Sequence, residues 1–140
     1  MTKLLDVARQ MISGERAPAP VARHIGFKLQ SIDPGTAVVS FDADERKHAN
    51  PMGTLHGGIL CDITDAAMGL AFAATLDEDE SFTTLELKIN FLRSVRSGKL
   101  VATAHVVHRG RTIGFVESDV TDEKGQLIAR ATSTCLRIRA

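Results

Sequence analysis

Between Gly57 and Leu76 the chain runs for twenty residues carrying only two charges, Asp62 and Asp65. A helix of that length would reach across a bilayer, but each aspartate near its middle costs about 2.5–3.5 kcal/mol on insertion. Four acids follow at once, Asp77 to Glu80. The run therefore predicts a helix buried inside a soluble protein, not a membrane span. A helix so apolar needs cover on most of its surface, and the remaining chain must supply it.

The cover reads as sheet. Residues 25–44 predict an antiparallel pair, Ile25–Leu29 and Ala37–Phe41, reversed at Asp33-Pro34-Gly35. A polar loop runs from Glu45 to Thr54, broken by Asn50-Pro51 and Gly53. Past the helix, residues 82–92 alternate, with Thr83, Leu85, Leu87, Ile89 and Phe91 on one face and Thr84, Glu86, Lys88 and Asn90 on the other. Ser97-Gly98 turns the chain into Leu100–His108, and Arg109-Gly110-Arg111 turns it again. Thr112–Thr121 and Gln126–Ile138 form a last hairpin around Asp122–Gly125. Ahead of all this, Leu4, Leu5, Ala8, Met11 and Ile12 recur at helical spacing and Ser13-Gly14 closes the run, so a short amphipathic helix docks on the body. Ala17-Pro18-Ala19-Pro20 follows as a stiff connector. The economical arrangement is one curved antiparallel sheet wrapped around one central helix, an α+β fold.

Composition narrows the function classes. In 140 residues, seventeen Lys+Arg balance seventeen Asp+Glu, which argues against a nucleic-acid binder. An apolar fraction of 44% argues against disorder. The two cysteines, Cys61 and Cys135, lie far apart in no zinc-like spacing, which fits a reducing, cytoplasmic setting. His24, His48, His56, His105 and His108 show no ligand spacing on one element, so no metal is expected. The N-terminus lacks a secretory apolar segment.

Placed at helical intervals, Ile59, Leu60, Ile63, Ala66, Ala67, Leu70, Ala71 and Ala74 form a sheet-facing arc. The opposite arc holds Gly58, Asp62, Asp65, Gly69 and Ala73, edged by Met68 and Phe72. Two carboxylates thus sit among residues almost without side chains, where a ligand or another backbone can come close. Either they hydrogen-bond to a neighbouring chain or loop, or apolar surroundings make a carboxylate basic enough for acid–base or nucleophilic work. The helix opens with Gly53-Thr54-Leu55-His56-Gly57-Gly58. Glycines there leave backbone N–H groups bare at the positive end of the dipole, suited to an anion or a developing oxyanion, or simply allow tight packing. His56 and Asp65 are nine residues apart, roughly 13.5 Å along a helix. One reacting centre cannot touch both within one chain, so a functional reading predicts a dimer with two equivalent sites between antiparallel helices.

The segments His48-Ala49-Asn50-Pro51-Met52-Gly53-Thr54-Leu55-His56-Gly57-Gly58 and Asp65-Ala66-Ala67-Met68-Gly69 resemble the signature of hotdog-fold thioesterases of the phenylacetic-acid-pathway (PaaI-like) group. Thr83–Arg93 and Gly125–Thr132 are similar to later elements of that family, and the likeness covers about residues 20–138. Ser94 departs from it, standing where many relatives have proline. The resemblance implies a hotdog thioesterase domain over residues 17–140, preceded by an N-terminal helix and linker over 1–16. It further implies hydrolysis of an acyl-coenzyme A thioester without metal or organic cofactor. Carried over by position, Gly57 offers its N–H to the thioester carbonyl, His56 supports that turn, and Asn50 holds the attacking water or the carboxylate. Asp65 of the facing subunit is base or nucleophile, and Thr84 helps position the water or carboxylate. Strict alternation would instead bury Thr83. Met68, Phe72 and Gly58 would border an aromatic or medium-chain acyl group. Arg93, Arg109 and Arg111, with Arg96 and Lys99 nearby, are candidates for the coenzyme phosphates. The family also implies a homodimer, pairing into a tetramer. A hydratase of related fold suits the motif less well, and the rival from another class is a non-catalytic acyl-CoA-binding sensor module.

Overall fold

Alternating small and large apolar residues on the strands, and a helix apolar over most of its surface, pack as expected into one sheet around one helix. The computed structural model describes residues 3–139; Met1, Thr2 and Ala140, the outer ends of the two expected segments, lie outside the described residues. The element order is α1 (Lys3–Ser13), α2 (Pro20–Ile25), β1 (Phe27–Asp33), β2 (Thr36–Ala43), α3 (Glu45–His48), α4 (Gly57–Ala73), β3 (Glu80–Phe91), β4 (Gly98–Arg109), β5 (Ile113–Asp122) and β6 (Leu127–Arg139). The six strands form one sheet in the order β1-β2-β4-β5-β6-β3, with every neighbouring pair antiparallel. No described helix is long and apolar enough to cross a membrane.

Two elements were not legible as such. Pro20 closes the connector but also opens α2, where a proline's missing N–H costs nothing. Ile25 belongs to that helix, and Gly26 ends it at φ +100, so β1 begins at Phe27. Asp44 caps the single turn α3 through a bond from the Arg46 N–H, inside the segment expected as loop. The strand after α4 also pairs differently from the order of turns. β3 lies at the sheet edge beside β6, not beside β4. Helix α4 carries the chain across the concave face to the far edge, and residues 92–97 carry it back.

The core lies between α4 and the concave face. Leu60, Ile63, Ala67, Met68, Ala71 and Phe72 meet Val39, Phe41, Leu100, Val116, Val120 and Cys135. Ala102, Ala104, Ala129 and Ala131 are wholly or almost wholly buried there too, and their small side chains let the helix sit close. The buried arc is turned roughly 50° from the expected one. Met68 and Phe72, expected at the open edge, are 1% and 0% exposed, whereas Ala66 and Leu70 are only partly covered. Phe72 reaches β5 at Gly114, where an added Cβ would lie 2.1 Å from its Cε2. That glycine is the slot for the ring. Phe82 packs edge-on to Phe72 at 5.7 Å. The N-terminal helix joins the same core through Leu5 and Ala8, as its spacing predicts.

β3 carries a bulge. Its register with β6 passes from Thr84↔Cys135 to Glu86↔Thr134, leaving Leu85 as the extra residue. Parity changes there. Phe82 and Thr84 face α4 before the bulge, and Leu87, Ile89 and Phe91 face it after, while Leu85 stands 55% exposed. The alternation read from sequence holds only beyond residue 85.

Candidate active site

The segment before α4 is clamped from several sides. Asn50 Oδ1 accepts the N–H groups of Met52 (3.0 Å) and Thr54 (3.1 Å), and its Nδ2 donates to Thr54 Oγ1 at 3.0 Å. Arg96 Nη1 donates to the Gly53 carbonyl at 3.3 Å. Leu55 N–H bonds to the Val95 carbonyl and His56 N–H to the His48 carbonyl, at 2.7 and 2.9 Å. His56 is the N-cap of α4, its Nδ1 accepting the Gly58 N–H at 3.0 Å. An accepting Nδ1 puts the proton of the neutral ring on Nε2. Gly58 is needed for this cap, since a Cβ there would lie 2.9 Å from that same Nδ1.

What remains bare is Gly57. Its N–H, the first of α4, has no acceptor among the described residues. It sits at the positive end of the helix dipole, beside a cavity of about 380 Å³ lined in part by Asn50, Leu60, Phe91 and Ile128. Phe91 was not singled out by sequence reasoning as a site residue. Its ring tip lies over Gly57, 2.9 Å from where a Cβ would be, and the side chain is 54% exposed. Alternation already puts Phe91 on the helix-facing side of β3, but its closeness to Gly57 arises only when the sheet closes over α4.

Two turns along, Asp65 stands on the open arc of α4 with Cys61, Asp62, Gly58 and Gly69. Partial burial raises the Asp65 pKa above the ordinary carboxylate value, and the neighbouring Asp62 adds to the effect. Asp62 itself is raised by burial. The Cys61 thiol is pushed up by burial and both carboxylates, which keeps it protonated and poorly nucleophilic.

The bulge brings Thr84 to this side of the sheet, while Thr83 points outward. Thr84 lies opposite the buried Cys135, whose thiol pKa is raised by burial first and by nearby Asp65 last, with Ser133 and Thr84 acting the other way. Ser133 Oγ completes a small polar group 3.8 Å from Cys135 Sγ. Thr84 and Asp65 therefore belong to one region. Gly57, Asn50 and His56 belong to another, eight residues back along the same helix from Asp65, roughly 12 Å away.

The other expected residues part company with the site. Met68 and Phe72 are core, as described above. Arg109 is engaged elsewhere, with Nε donating to the Thr75 carbonyl at 3.1 Å and Nη2 lying 3.7 Å from Glu80. Glu80 also accepts hydrogen bonds from Arg137 and from Arg139 (3.0 Å). Arg93 lines the cavity beside Gly57. Arg93 and Arg111 are exposed, with no side-chain partner among the described residues. The two basic groups flank opposite ends of α4, Arg93 and Arg96 near its start and Arg109 and Arg111 near its end. Within one chain they cannot form one rim.

Comparison with known proteins agrees with this architecture. Residues 52–129 match the thioesterase superfamily. The chain is 33% identical over 110 residues to a 1,4-dihydroxy-2-naphthoyl-CoA hydrolase of Listeria monocytogenes, covering 79% of this chain and 89% of the relative. It is 28% identical over 137 residues to human acyl-coenzyme A thioesterase 13, covering 96% of each. The crystal structure of a phenylacetic acid degradation-related protein from Ralstonia eutropha superposes with a TM-score of 0.80 at 32% identity, over 92% of this chain and 98% of that one. With its six-stranded sheet wrapped on α4, the chain belongs to the thioesterase superfamily and is a thioester hydrolase of hotdog fold.

Proposed function

We propose that the chain hydrolyses acyl-coenzyme A thioesters at two equivalent sites, each built by two protomers. The observation that carries this reading is the separation on α4. A bare N–H at Gly57 and a carboxylate of raised pKa at Asp65 lie too far apart to act on one carbonyl. Two copies of α4 running antiparallel bring Gly57 of one to Asp65 of the other. Further support comes from β3, an edge strand with its outer side unpaired and Phe91 and Leu92 more than half exposed. A homodimer joined there, pairing further into a tetramer, would cover both.

In this reading the thioester carbonyl accepts the Gly57 N–H, which His56 and the Asn50 loop hold in place. Asp65 of the facing protomer, with Thr84 beside it, removes a proton from water. The water oxygen bonds to the carbonyl carbon, the oxyanion collapses, the C–S bond breaks, and the coenzyme thiolate takes up a proton. The alternative is direct attack by Asp65, giving a mixed anhydride that water then opens. Single turnover in ¹⁸O-labelled water tests for the anhydride opened at the Asp65 carbonyl, because label in Asp65 itself excludes simple water activation. The cavity beside Gly57, walled by Leu55, Leu60, Phe91 and Ile128, suits an aromatic or medium-chain acyl group. Of the three arginines expected at the coenzyme phosphates, Arg93 and Arg111 have side chains free among the described residues. The names of the Listeria and human relatives support the coenzyme A ester as substrate class. Two free cysteines fit a cytoplasmic setting.

The test is release of free thiol from phenylacetyl-, hydroxybenzoyl- and medium-chain acyl-CoA. Turnover is expected, falling on its acid side as Asp65 protonates, at a pH displaced upward from the ordinary aspartate value. Asp65→Asn is expected to remove nearly all of it while the protein stays folded. Activity within a few-fold of the unaltered protein would defeat the mechanism. Binding of acyl-CoA without turnover would favour the sensor module.

A further inference from the structure

A second cavity, of about 590 Å³, lies under the N-terminal arm and takes no part in the site above. α1, the connector and α2 roof it, β1 walls it, and Ala66 and Leu70 of α4 close its floor. The surface inside is mostly apolar, built from side chains such as Met11, Val21, Phe27 and Leu29. No aspartate or glutamate lines it, whereas two cations do, Arg16 and Lys28. Both are exposed, and neither side chain has a partner among the described residues. The groove is open to solvent at its rim, where Ile12 and Val21 are exposed, and covering apolar surface of that kind gains about 25 cal/mol per Å². The volume falls within the roughly 300–1,000 Å³ of pockets that hold small ligands.

We propose that this cavity binds a linear aliphatic carboxylate, its chain inside and its carboxylate against Arg16 and Lys28. The charge pattern selects an anion. The walls, aliphatic apart from Phe27, select a flexible chain, and the concave shape under the N-terminal arm selects a small molecule over the flat surface of another protein. Acids of this kind are a product class of thioester hydrolysis, so the cavity would report product at a place apart from Asp65.

The test is calorimetric titration of the intact protein with octanoate, decanoate and dodecanoate. One ligand per chain is expected, with affinity rising about fourfold for each added methylene. Charge reversal at the rim, Arg16→Glu with Lys28→Glu, should weaken dodecanoate binding at least tenfold. Ala17→Trp, at an exposed position lining the cavity, should plug it and abolish binding. Circular-dichroism melts check that each variant is folded, and the rim pair lies outside the core should the tryptophan variant fail. Asp65→Asn should bind as the unaltered protein does. Absence of saturable binding would overturn the proposal. So would equal affinity for dodecyltrimethylammonium, or binding that survives both the plug and the charge reversal. Loss of binding in Asp65→Asn would also overturn it, placing the acid in the catalytic pocket.

Discussion

Replacing Gly57 with proline should remove one hydrogen atom of consequence. Gly57 is the first residue of α4, the helical position where proline is favoured. The preceding His56 has φ −63 and ψ 131, inside the region that a following proline requires. No hydrogen bond is lost, since the Gly57 N–H has no acceptor among the described residues. At Cβ, the atom that proline shares with alanine, the close contact is with Phe91, whose Cζ would lie 2.9 Å away. Phe91 is 54% exposed, so its ring can swing away. Gly57→Ala creates the same conflict but keeps the N–H, so the difference between the two variants isolates the donor. Moving Phe91 off its rotamer costs about 0.5–1.5 kcal/mol, a factor of roughly 2 to 12. Loss of one oxyanion donor costs about 2.7–4 kcal/mol, roughly 10²–10³ in kcat. The assay is thiol release from acyl-CoA at saturating substrate, with circular-dichroism melts to show that both variants fold. A proline variant within tenfold of the alanine variant would refute the role of this amide.

Gly114→Ala should destabilise the fold by roughly 1–3 kcal/mol, because its Cβ would collide with the buried Phe72 ring at 2.1 Å. Phe72→Leu in the same chain should recover much of that loss, a coupling read by urea unfolding. Far-ultraviolet circular dichroism is the probe of choice, as the chain has no Trp or Tyr. If the two substitutions simply add, Phe72 does not lie beneath β5. Glu80 makes a second stability prediction. Bonds from Arg137 first, then from the Asp77 N–H and Arg139, hold its pKa at about 2, below its ordinary 4.5. A depressed carboxylate stabilises above its unfolded value and ceases to as pH falls through the folded one. Melting temperature should therefore drop between pH 4.5 and about 2. Glu80→Gln should be less stable at pH 7 and lose less over that window; an unchanged pH dependence would dismiss the cluster.

Much of this architecture was readable in advance because it follows from local rules. The run after Gly57, charged only at Asp62 and Asp65, could only be a covered helix, and Pro34-Gly35 could only reverse the chain. Glycines at 57 and 58 marked a helix start, at which His56 caps the Gly58 N–H and leaves that of Gly57 bare. Three things resisted. The bulge at Leu85 depends on how β3 meets β6, a pairing between residues 38 to 59 apart in sequence, and it decides that Thr84 rather than Thr83 faces α4. The rotation of α4 depends on Gly114, a slot forty-two residues downstream of Phe72, so a helical projection placed Phe72 and Met68 at the open edge. Arg109 looked free beside Gly110, yet Glu80 and the Thr75 carbonyl claim it through contacts that only the fold creates. Phe91 escaped for the same reason, since its closeness to Gly57 is a fact of the closed sheet.

The two-protomer site has a direct test in subunit complementation. Gly57→Pro and Asp65→Asn chains, each nearly inactive alone, are unfolded together, refolded as a mixture and assayed for thiol release. Random pairing makes half the dimers mixed, each with one intact site and one doubly altered site, so about a quarter of full activity should return. A mixture no more active than its two parents, with mixed dimers shown to have formed, would contradict a catalytic centre divided between chains.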